Sequence, residues 1–150
     1  MSGPRRVAGR EAAGRGPATS RRAFVRRAVW PAALMLAIAL GSLRPLPVGF
    51  AGGSDKLVHA GTWSLLGAGW AHALGALAWP PLRVAGLAAG ISAAWGGVDE
   101  AIQAGVPWRD ADGGDLLADL LGAGAGAGAW LWYRRRRTGA REPGTGPGGR

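Results

Sequence analysis

"LVHAGTWSLLGAGWAHALGALAW", residues 57–79, runs for its whole length without an Asp, Glu, Lys or Arg. A helix of that length rises roughly 35 Å at 1.5 Å per residue, enough to cross the roughly 30 Å hydrocarbon core of a bilayer. Asp55 and Lys56 stand immediately before it and His59 lies in its first turn. Charge at such a place is expensive against lipid, so these side chains require an inward-facing or water-facing environment.

Three more apolar segments surround this one. They are "AVWPAALMLAIALGSL" at 28–43, "LRVAGLAAGISAAWGGV" at 82–98 and "LLADLLGAGAGAGAWLWY" at 116–133. The first and third are short against the roughly 20 residues a perpendicular span needs, so their ends extend into flanking residues. Pro31 falls near the start of the first, where a missing N–H costs little. Together the four predict an all-α, polytopic helical membrane protein of about four transmembrane helices joined by short loops. The domain plan is a disordered basic tail at 1–27, a transmembrane domain at 28–133 and a second disordered basic tail at 134–150.

Charge supports that plan. The first 27 residues carry eight Arg and one Glu, and residues 134–150 carry six Arg and one Glu. Between them seven acids outnumber four basic residues (Arg44, Lys56, Arg83 and Arg109). Basic residues confined to two tails around an apolar body follow membrane sidedness rather than a nucleic-acid footprint, so no nucleic-acid partner is expected. With "SRRAFVRR" before the first span and "RRRR" after the fourth, both termini are expected in the cytoplasm and the chain in the cell membrane. An even number of spans is then required. Loops 44–55 and 104–114 fall outside, and the "PPLR" link with Arg83 falls inside. "TSRRAFVRR" also resembles a twin-arginine export signal, with "GFA" at 49–51 as a cleavage site, but three further apolar segments make a poor folded export cargo. Cysteine is absent, which excludes disulfides, thiolate nucleophiles and Cys-ligated metals.

In that topology the heads of the second and fourth spans and the tail of the third meet at the outer face. Asp55 and His59 are four residues apart, Glu100 and Gln103 three, and Asp115 and Asp119 four, so each pair shares a helical face. These faces cost least when they turn toward one another. His59 beside carboxylates is a candidate base, metal ligand or hydrogen-bonding strut. His72 lies about 20 Å deeper with no acidic neighbour and reads as a packed or interfacial residue. A divalent cation is a candidate ligand for Asp55, Glu100, Asp115, Asp119 and His59, and the competing reading is neutralisation by Lys56 and Arg109. Arg109, in a turn with Gly105 and Pro107, suits either bidentate contact with a carboxylate or phosphate or an internal ion pair. No nucleophile with a matched base and no H-E-x-x-H element emerges. "GAGAGAGA" at 122–129 places Gly122 with Gly126, and Gly124 with Gly128, at the spacing of close helix packing. Whether the partner helix lies in this chain or a second copy is left open.

"DKLVH" at the head of one span, followed by "EAIQAGVPWRDADGGDLLADLLGAGAG" leading into the last, resembles the VanZ-like family of bacterial membrane proteins. That family shows an Asp-Lys-x-x-His element, then Glu-x-x-Gln, a Pro-x-Arg turn and an Asp-x-x-x-Asn-x-x-Gly-x-x-x-Gly stretch. The matching residues are Asp55, Lys56, His59, Glu100, Gln103, Pro107, Arg109, Asp115, Gly122 and Gly126. Asp119 stands where the family has Asn and adds a carboxylate, and the aromatic expected after the His is Trp63. The likeness covers about residues 30–133. It implies a link to glycopeptide resistance, chiefly lowered teicoplanin susceptibility. The role expected on that basis is accessory or binding at the cell envelope, with membrane lipids, an envelope precursor or a glycopeptide as partners. The alternative is an intramembrane enzyme acting on a lipid-linked or peptidic precursor.

Overall fold

The computed structural model describes residues 17–44, 54–107 and 113–139. Among them run four α-helices and no strand: α1 Pro17–Ser42, α2 Ser54–Leu74, α3 Pro81–Ala104 and α4 Gly113–Gly139. A 3₁₀ turn, Gly75–Leu77, extends α2. Ala78 then turns the chain with a left-handed backbone (φ 58°), and the Pro80–Pro81 pair opens α3 with proline at its first position.

The elements exceed the apolar segments at several ends. α1 starts eleven residues before the first segment, so 17–27 of the expected disordered tail are helical, and Pro31 is an interior residue. There it removes the N–H that the Arg27 carbonyl would otherwise accept from. α4 likewise continues through Arg134–Arg137 to Gly139. The rest of both tails, 1–16 and 140–150, lies outside the described residues, as do 45–53 and 108–112.

Among the described helices, one stretch, Ala18–Ser42, is long and apolar enough by length and composition alone to cross a membrane, and it lies near the N-terminus, where signal sequences also pass that test. The other three fall short for visible reasons. Gly, Ser, His and Trp dilute their Leu and Val, and acids sit toward the ends of α3 and α4.

α2 and α4 make the most extensive contact. Gly122 and Gly126 lie against the backbone carbonyls of Ala60 and Ser64, and Gly67 lies against that of Ala123. A Cβ at any of the three would collide with main chain, and the Ser64 hydroxyl donates to the Gly122 carbonyl across the seam (3.0 Å). Gly122 and Gly126 thus find their partner helix within this chain. Gly124 and Gly128 face open space. Toward the Gly75 end, Ala71, Leu74, Val84, Ala85, Ala88 and Ala127 form a small-residue core, with Trp70 and Trp130 packed on it.

Large apolar side chains also lie on the surface: Leu57, Leu82 and Leu121 are 76%, 67% and 66% exposed. Two carboxyl side chains lie inside beside the apolar core, with Asp99 and Asp119 2% and 0% exposed.

Candidate polar site at one end of the bundle

Because successive helices run in opposite directions, the end of α1, the head of α2, the end of α3 and the head of α4 share one end of the molecule. Each contributes a polar side chain, and the resulting contacts tie all four helices together. Lys56 of α2 pairs with Asp115 of α4 (Nζ to Oδ1, 3.0 Å). One turn deeper, His59 Nδ1 meets Asp119 Oδ1 at 2.9 Å. Both rungs follow from the i, i+3/i+4 spacing of facing helices: residues 56 and 59 match residues 115 and 119.

The His59 ring is held from a second side by Trp63, stacked at 5.5 Å between centroids with planes 11° apart. Trp63 is anchored in turn, its indole N–H donating to the Ser92 carbonyl on α3 (3.0 Å). The space for this arrangement is made by Gly96, where a Cβ would stand 3.0 Å from both Asp119 Oδ2 and Trp63 Nε1. The imidazole is therefore fixed in plane and in position, with Nδ1 committed to a carboxylate that holds the ring's tautomer.

A second set joins α1 to α3. The Ser42 hydroxyl donates to Asp99 Oδ1 (2.6 Å), with the Ile38 carbonyl at 3.1 Å as its other acceptor. The Gln103 amide donates to Asp99 Oδ2 (2.8 Å). Asp99 thus has a neutral donor on each oxygen, the arrangement that lets a buried carboxylate persist.

Among the described residues, two buried side-chain oxygens lack such a partner: Glu100 Oε1 and Asp119 Oδ2. Glu100 lies near the Asp115 and Asp119 carboxylates and His59, and a carboxyl in such company is a candidate proton donor.

Of the residues singled out from sequence, Lys56, His59, Gln103, Asp115 and Asp119 come together here. Gln103 bonds to Asp99 rather than acting as a pair with Glu100, and His59 takes Asp119 as its carboxylate. Arg109 and the side chain of Asp55 lie outside the described residues, as do Asp110 and Asp112. Asp99 and Ser42 were missed. Asp99 had a readable signal, since it stands four residues before Gln103, but Ser42 carried none. Among the described residues, no group of three His, Asp or Glu side chains is disposed to hold a metal ion. No protein-family model, curated protein or solved structure matches the chain.

Proposed function

We propose that this protein is a VanZ-like, four-span membrane protein with cytoplasmic termini. On this reading its outer polar cluster serves an accessory or binding role at the cell envelope, linked to glycopeptide susceptibility. The observation that carries the reading is the placement of polarity: large leucines are exposed along the helices, while Asp99, Asp115 and Asp119 are buried at one end, where Asp115 meets Lys56 and Asp119 meets His59. In water such a surface would drive association, whereas in a bilayer it is the expected exterior. The motif order from Asp55 to Gly126 supports the family, and the two unpartnered oxygens, Glu100 Oε1 and Asp119 Oδ2, are the acceptors a ligand's amide or ammonium group would bind.

The test is deletion of the gene in its own host followed by teicoplanin titration, with complementation by the wild-type chain. A shifted susceptibility that complementation restores is the expected result. An unchanged response, in a host whose envelope carries the antibiotic's target, would remove the resistance reading and leave a scaffold.

The His59–Asp119 contact favours a second reading, an intramembrane enzyme on an envelope precursor. There the oriented imidazole acts as base and Glu100 as acid. The two readings separate on turnover: an enzyme chemically changes a supplied precursor, and a binding protein returns it intact.

A further inference from the structure

At the end of the bundle opposite the acids lies a cavity of about 420 Å³, within the roughly 300–1,000 Å³ range of small-molecule sites. Its lining includes Arg27 of α1, His72 of α2, and Trp130, Tyr133, Arg134 and Arg137 of α4. Three guanidinium groups from two distant parts of the chain thus border one space. No carboxylate among the described residues lines it, and the buried acids Asp99, Asp115 and Asp119 belong to the other end. Convergent like charges of this kind cost free energy unless an anion enters between them.

Two of the arginines are also held in place. Arg134 donates through Nη1 to the Gly75 carbonyl (3.2 Å) and lies over the Trp130 ring at 5.3 Å. Arg137 lies over Tyr133 at 4.8 Å. Stacking uses the flat face of a guanidinium, and the carbonyl takes one N–H of five. The in-plane donors of such a group suit two oxygens of one tetrahedral anion.

We propose that this cavity is a binding site for a phosphate-bearing anion, with Arg27, Arg134 and Arg137 as its donors. The anion is either the headgroup of an anionic phospholipid or a free phosphate species. Basic pockets between helices at a membrane surface take headgroups of this kind. The site is separate from the polar cluster; the headgroup source rests on the four-span membrane reading, and the free-phosphate source does not.

The experiment uses the full chain purified in a neutral detergent, with calorimetric titration in two arms. One arm adds inorganic phosphate or pyrophosphate. The other uses nanodiscs containing phosphatidylglycerol, compared with phosphatidylcholine alone. Saturable binding in either arm is expected, and the arm that responds identifies the source of the phosphate. Arg27→Gln and Arg137→Gln are each expected to weaken it about tenfold, the scale of a lost charge-assisted hydrogen bond. Arg83→Gln and Arg136→Gln, which remove guanidiniums stacked on Trp79 and Trp132 outside the cavity lining, should leave it within about twofold. Thermal unfolding without ligand identifies a variant that has lost its fold. Arg27→Lys then replaces Arg27→Gln, and with charge kept and the planar fork lost it should fall between wild type and the Gln variant. Absence of saturable binding in both arms, or equal weakening by Arg83→Gln, would overturn the proposal.

Discussion

Ser42 illustrates how a single hydroxyl satisfies a buried carboxyl oxygen. Its O–H is the donor on Asp99 Oδ1, and Asp99 is 2% exposed, so no water replaces it cheaply. Ser42→Ala should therefore cost about 1–3 kcal/mol, read as a lowered unfolding midpoint in detergent, because it strands a buried acceptor. At this scale the sequence exposed the participants better than the pairings. His59, Lys56, Asp115 and Asp119 were readable from their spacing. That His59 chooses Asp119 depends on the register of two helices, which no local spacing encodes.

The α2–α4 seam was half legible. "GAGAGAGA" offers two interleaved glycine pairs at identical spacing, and nothing in the repeat says which faces a neighbour. The structure turns Gly122 and Gly126 onto α2 and leaves Gly124 and Gly128 open. Alanine substitutions should therefore split by position. Gly124→Ala adds a methyl to open space and gains helix propensity, so it should stabilise or be neutral, by at most about 1 kcal/mol. Gly126→Ala drives a Cβ into the Ser64 carbonyl and forces the helices apart, with a cost of several kcal/mol expected from backbone overpacking (about 1–3 or more). Thermal unfolding of the two variants side by side is the measurement, and equal effects would mean that this seam is not the close contact. The ends of α1 and α4 were less legible. Arg-rich stretches looked like tails because charge opposes burial, yet helix propensity and Arg–aromatic stacking at 132/136 and 133/137 carry α4 past its apolar part.

Seen whole, the molecule gathers its described acids at one end, with Lys56 and Arg44, and most of its described arginines, several stacked on aromatic rings, at the other. That separation was legible from composition by position, although three of the four helices are weakly apolar on their own. The absence of cysteine makes the arrangement directly testable, since single Cys residues introduced for Arg44 and Thr138 have no native background. On the four-span reading they should react with an impermeant thiol reagent from opposite sides of the membrane, and labelling from the same side would contradict it. The α2–α4 seam has a consequence for biogenesis. The tightest contact joins α2 to α4, which is made only after α3, and the carboxylates that pair with Lys56 and His59 arrive with it. Until then the first three helices are an unfinished assembly, with the Ala60 and Ser64 carbonyls uncovered by their glycines. A message truncated before Gly113 would accordingly yield, in place of a smaller working protein, a product suited to capture by membrane proteases.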